Sequence, residues 1–168
     1  MTGIPALRQA IAAKTERCYG YRPDADAEIT VTSGASEAIF DAVLAVVRPG
    51  DEVIVLDPCY DCYEPAIDLA GGRAVHVPLD PQTFVPDWNL IRAAVTPKTR
   101  LLILNSPQNP TGGIIPKQDM QAIADVLRKH ERVWVFADEI HGRLVYDGEF
   151  VSIASFPDMR IAVISVDP

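Results

Sequence analysis

Leu101-Leu102-Ile103-Leu104-Asn105-Ser106-Pro107-Gln108-Asn109-Pro110-Thr111-Gly112-Gly113 joins an all-apolar run to a loop of prolines, glycines and amides. Four consecutive apolar residues leave no polar face, so the strand they form is buried on both sides, as in a parallel sheet covered by two helical layers. The same pattern repeats outward. Val53-Ile54-Val55-Leu56, Ala74 to Val77 and Val133-Trp134-Val135-Phe136-Ala137 are further strands, Ile161 to Ser165 is expected as the last, and Ile29-Thr30-Val31-Thr32 is expected as a short first one. Helical segments separate them. Pro5 to Cys18 has helical periodicity with proline near its first turn. Glu37 to Val47 ends at Pro49-Gly50, and a stretch from Asp57-Pro58 to Ala70 is broken by Gly71-Gly72. Asp87 suits the N-cap of a helix through Ala94, and another helix runs from near Pro116 to Lys129. This alternation predicts an α/β fold, a mainly parallel sheet with helices on both faces. With no repeat, linker or low-complexity tract, residues 1–168 read as a single domain.

Composition supports a packed core: 48% of residues are apolar and 23% charged. The net charge of −8 with no Lys/Arg cluster repels polyphosphate backbones, so no nucleic-acid partner is expected. The apolar runs fall far short of the ~20 residues that span a bilayer, so no membrane partner is expected either. No signal peptide is visible, and the odd set Cys18, Cys59 and Cys62 fits a reducing compartment, so a cytoplasmic location is expected. Cys59-x-x-Cys62 lacks a second Cys/His pair at suitable spacing, so no metal is expected and the thiols read as unreactive. His76 and His130 fall in a strand and at a helix end and receive no function.

Ligands of parallel sheets bind at the carboxyl ends of the strands. The loops at 33–36, 57–63, 105–113 and 138–142 therefore carry the functional reading. Ser33-Gly34-Ala35-Ser36 places small residues before a helix, where open N–H groups and the helix dipole favour an anion. A plain turn with Ser36 as N-cap is the alternative. Tyr60 follows a strand end, where its ring could stack on a flat heterocycle or simply pack. The prolines and glycines around Asn109 hold its amide in place, for a ligand or for its own turn. Asp138 closes a buried strand, and a carboxylate there needs a cation, strong donors or a helix to cap. Glu139 reads as outward or structural, and His141 could point into the same crevice.

Taken together, Thr32-Ser33-Gly34-Ala35-Ser36-Glu37-Ala38, Asp57-Pro58-Cys59-Tyr60-Asp61-Cys62-Tyr63-Glu64-Pro65, Asn105 to Gly112 and Asp138-Glu139-Ile140-His141 resemble the fold-type-I pyridoxal-phosphate enzymes. The resemblance is to class I/II aminotransferases, and through Tyr60 to Pro65 to the methionine/kynurenine (glutamine-type) branch. It implies an incomplete large cofactor domain, with pyridoxal 5'-phosphate held by Gly34, Ala35, Ser36, Tyr60, Asn109, Asp138 and His141. The backbone amides of Gly34, Ala35 and Ser36 would bind its phosphate, Tyr60 would stack on the pyridine, and Asn109 would bond the phenolic oxygen. Asp138 would pair with the protonated ring nitrogen. The implied substrates are an α-amino acid and a 2-oxo acid, and full-length relatives are expected to be homodimers.

Two departures accompany the resemblance. His141 stands where the family most often has tyrosine, as in carbon–sulfur β-lyases. The family's Schiff-base lysine follows the strand represented by Ile161 to Ser165, where this sequence reads Val166-Asp167-Pro168. Lys14, Lys98, Lys117 and Lys129 lie in helices or at their edges, so no catalytic lysine is assigned and the chain as given is expected not to transaminate. A β-lyase fragment, a non-catalytic module for a phosphate ligand and a fragment that no longer folds remain as other readings.

Overall fold

The computed structural model describes residues 2–156 and 163–166. Its elements run α1 (Pro5–Tyr19), α2 (Ala35–Val46), β1 (Glu52–Asp57), α3 (Tyr63–Leu69), β2 (Arg73–Pro78), α4 (Trp88–Ala94), β3 (Thr99–Asn105), α5 (Lys117–Leu127), β4 (Trp134–Asp138) and β5 (Val163–Val166), with a 3-10 turn at Ile153–Ser155. The strands form one sheet in the order β2-β1-β3-β4-β5, and every described pairing is parallel.

The all-apolar strands are buried on both faces, as their composition requires. Val53 and Val55 of β1, Leu101 and Ile103 of β3 and Phe136 of β4 pack with Ile39, Val43 and Ile67 from α2 and α3. Their neighbours Ile54, Leu56, Leu102, Leu104 and Val135 point the other way, onto Ile91 of α4 and Met120 and Ile123 of α5. Each fully buried branched side chain contributes roughly 1.5–3 kcal/mol, so both helical layers are held by the alternation within single strands.

The connections fix where a ligand crevice opens. From β1 the chain passes through α3 to β2 on one side, whereas from β3 it passes through α5 to β4 on the other. Right-handed crossovers in opposite directions place their helices on opposite faces, and the carboxyl ends of β1 and β3 part between them. That switch point joins the loop after Asp57 to the loop after Asn105.

Two expectations need correction. Ile29–Thr32 is not a strand: the segment is outside the sheet, and Val31 N–H bonds the Thr2 carbonyl at 3.1 Å. β-branched residues favour extended backbone, but a strand exists only where a neighbouring strand supplies a ladder. Ile29 instead packs with Ala12 and Ala25. The third helix starts only at Tyr63, because residues 58–62 form the loop that leaves the crevice. The last strand is present as β5, whereas Ile161 and Ala162 lie outside the described residues. Asp87 caps α4 as expected, accepting from Asn89 N–H at 2.8 Å.

Candidate functional site

α2 begins at the crevice, and Gly34 rather than Ser36 is its N-cap. Gly34 has φ 98° and ψ 171°, a conformation reserved in practice for glycine. No heavy atom lies within 4 Å of where a Cβ would stand, so the space over this turn is open. The Thr32 hydroxyl donates to Gly34 O at 2.9 Å, and the Ser33 N–H donates to the Glu37 carboxylate. These contacts steady the turn while the amides of the first helical residues, which have no intrahelical acceptor, face outward. Ser36 is free of capping duty and puts its hydroxyl 3.5 Å from that of Tyr60.

From there a line of side chains crosses the crevice. Tyr60, half-buried on the loop after β1, meets Tyr63 edge to face, with ring centroids 5.8 Å apart. Tyr63 is 2% exposed, and its phenol donates to Asp138 Oδ2 at 2.6 Å. Burial, and then the adjacent Asp138 carboxylate, push the phenol's pKa far above its ordinary value, so the proton stays on Tyr63. Among the described residues Asp138 Oδ1 receives only a long contact of 3.4 Å from Ile140 N–H. No helix starts in residues 139–152, directly after Asp138, which removes the sequence-based alternative of a helix cap. Among the described residues no cationic side chain lies within ion-pair distance of this carboxylate, although it is 3% exposed. A buried carboxylate with one hydroxyl donor suits a cationic ligand group beside it.

The loop after β3 is tied to the same place. Asn105 donates its amide to the Asp138 carbonyl at 2.9 Å and accepts from Asn109 N–H at 2.7 Å. The Gln108 amide donates to the Pro58 carbonyl, and its oxygen accepts from the Thr111 hydroxyl, so the loops after β1 and β3 are joined directly. His141 Nδ1 lies 3.3 Å from the Pro107 carbonyl. Because a carbonyl only accepts, Nδ1 carries the proton in that contact, and a neutral His141 leaves Nε2 as an acceptor. Glu139 is buried rather than outward and accepts from Ile153 N–H at 3.1 Å, a structural role.

Six of the seven sequence-predicted residues are thus linked through the turn of α2, the Tyr60–Tyr63 pair and the Asn105 contacts, and His141 meets the same loop at the Pro107 carbonyl. Tyr63, Asn105 and Gln108 had received no role from the sequence. Asn105 carried the same signal as Asp138, the first polar residue after a buried strand, whereas Tyr63 was indistinguishable from a rim aromatic. The arrangement fits pyridoxal phosphate on this structure's own terms: an open glycine turn at a helix N-terminus for an anion, and at the far end a buried carboxylate with no cationic side chain beside it among the described residues.

Comparison with known proteins agrees. The family description "Aminotransferase class I and II" matches residues 1–167. The chain is 44% identical over 167 residues to methionine aminotransferase of Escherichia coli (strain K12), covering 99% of this chain and 43% of that protein. It is 37% identical over 169 residues to kynurenine–oxoglutarate transaminase 1 of Mus musculus, covering 94% and 40%. N-succinyldiaminopimelate aminotransferase from Mycobacterium tuberculosis superposes with a TM-score of 0.95 at 41% identity, over 99% of this chain and 44% of that one. The chain therefore spans less than half the length of these relatives.

Proposed function

Because the chain belongs to the class I and II aminotransferases, a pyridoxal-phosphate-dependent family, we propose that its crevice holds pyridoxal phosphate for moving an amino group from an α-amino acid to a 2-oxo acid. One observation carries the reading: the contact line from Ser36 through Tyr60 and Tyr63 to Asp138 at the switch point. It sets an anion-seeking helix end and a cation-seeking carboxylate at opposite ends of one aromatic-lined crevice.

Bound there, the cofactor supplies an electron sink for the substrate α-carbon. The chain's own groups bind and orient it. Amides of Gly34, Ala35 and Ser36 donate to the phosphate, aided by the α2 dipole. The Tyr60 ring stacks on the pyridine, and the Asn109 amide donates to the phenolic oxygen. Asp138 keeps a proton on the ring nitrogen, and Tyr63 holds the carboxylate in position with a phenol that does not give up its proton. His141 serves the phenolic oxygen as a donor only when it is an imidazolium, given its Pro107 contact.

Residues 1–168 serve in this reading as part of one cofactor domain acting on small molecules in the cytoplasm, and the homodimer belongs to the full-length relatives. The net charge of −8 supports the absence of a nucleic-acid partner, and no helix among the described residues is long and apolar enough to cross a membrane. His141 alone favours a second reading, β-elimination at a carbon–sulfur bond.

Titrating the purified chain with pyridoxal phosphate, followed by absorbance and tyrosine fluorescence, tests the cofactor role apart from turnover. Saturable binding at one equivalent is expected. Asp138→Asn, which keeps the side chain's shape, is expected to weaken it on the order of 100-fold. Equal affinities for a parent and variant of matching circular dichroism would sink the assignment of Asp138.

A further inference from the structure

We propose that Asp57, Cys59 and His76 form a binding site for a zinc-like divalent transition-metal ion, with Glu64 orienting the imidazole. The sequence spacing drew attention to Cys59-x-x-Cys62, which found no second pair of ligands. The fold breaks that pair up and gives Cys59 other company. The Cys62 thiol turns toward Ser36 Oγ, at 3.8 Å. Cys59 stays beside β2, where the strand register brings in His76.

The register makes the cluster. β1 and β2 pair with Val55 opposite His76 and Asp57 opposite Pro78, so Asp57 and His76 are diagonal neighbours. Strand alternation puts both on the side of α3, whose first turn carries Glu64. The carboxylate, thiol and imidazole ligand atoms of Asp57, Cys59 and His76 all lie within 4.8 Å of one another. His76 Nδ1 is 3.0 and 2.9 Å from the two Asp57 oxygens, and its Nε2 is 3.6 Å from Glu64 Oε1.

Sulfur, nitrogen and oxygen donors together suit zinc or a metal of similar softness, with water as a fourth ligand. Tetrahedral zinc places such donors about 3.3–3.8 Å apart, so side-chain rotations on the order of 1 Å complete the shell. The two imidazole nitrogens have the contacts such a site needs. Nδ1 faces the Asp57 carboxylate, and Nε2 lies 3.6 Å from the Glu64 carboxylate, which is placed to orient the ring as outer partners of metal-bound histidines do. β2 is the edge strand, so the cluster opens to solvent and an ion has a path in. On binding, the Cys59 thiol proton passes to water, a thiolate–metal bond forms, and His76 enters as the neutral ring. Because Cys59 directly precedes Tyr60, an occupied site would also pin the loop that carries the Tyr60 ring.

Cobalt(II) added to the purified chain, without pyridoxal phosphate, is the direct probe, followed by displacement with zinc. One equivalent is expected to bind, with the ultraviolet charge-transfer absorption of a thiolate–cobalt bond. Cys59→Ser is expected to abolish that absorption, and His76→Gln to weaken binding at least tenfold. Glu64→Gln is expected to cost roughly tenfold as an orienting group, while Cys62→Ser leaves stoichiometry and spectrum unchanged. Absence of stoichiometric binding, an unchanged spectrum in Cys59→Ser, or a spectrum lost in Cys62→Ser would each overturn the proposal. If Cys59→Ser melts early, His76→Gln decides: unchanged affinity for cobalt overturns the site, and a tenfold loss supports it. None of these outcomes bears on whether pyridoxal phosphate binds.

Discussion

Tyr63 is the side chain on which the crevice turns, because it connects the loop after β1 to the carboxylate ending β4. Its phenol is buried, and burial together with the Asp138 charge keeps it protonated. A hydrogen bond to a charged acceptor contributes about 1.5–3 kcal/mol, more than a neutral one. Tyr63→Phe keeps the ring and its contact with Tyr60 but removes the donor. The variant is expected to lose about that much stability in urea unfolding, and to bind pyridoxal phosphate more weakly because Asp138 is no longer held. Unchanged stability would mean that water replaces the hydroxyl at no cost.

Among the elements, the short helices depend most on their ends. α4 has seven residues, too few to be stable alone, and is held by Ile91 in the core and by its Asp87 cap. Asp87→Ala is expected to cost about 1 kcal/mol in the urea midpoint, and Asp87→Asn only a fraction of that. A full loss in the Asn variant would point to charge rather than capping. α2 differs, because its N-cap is Gly34 and no side chain caps its first amides. The same comparison explains the misread segment at Ile29–Thr32: its residues favour extension, but no neighbouring strand turns that preference into a ladder.

For the molecule as a whole, the end of the sheet opposite the crevice carries a pH-dependent anchor. Glu52, 6% exposed, accepts from the Thr96 hydroxyl at 2.6 Å and from Arg73 at 2.7 Å. The Thr96 bond first, then the Arg73 bond, holds its pKa below the ordinary glutamate value. A depressed folded pKa stabilises the fold above the unfolded value, roughly 4.3. That contribution is lost as the pH falls through the folded value. Glu52→Gln is expected to unfold at lower urea than the parent at neutral pH, with the gap narrowing steadily in acid. A gap that does not change with pH would contradict the anchor. At this scale, too, the division between sequence and tertiary structure is clearest. The alternation of apolar strands and helices, both buried faces of β1, β3 and β4, and the polar residues at their carboxyl ends were legible in the sequence, since local composition alone decides which backbone can be buried. Gly34, Tyr60, Asn109 and Asp138 could be named as candidates from the sequence, because each stands where an apolar strand has ended or a helix is about to begin. Only the folded chain decided that Tyr63 rather than a cap satisfies Asp138, that Gly34 displaces Ser36 as N-cap, that Ile29–Thr32 stays outside the sheet, and that His76 meets Asp57 and Cys59. Those outcomes depend on strand order and register, which set contacts between residues far apart in the chain and leave no mark on local periodicity.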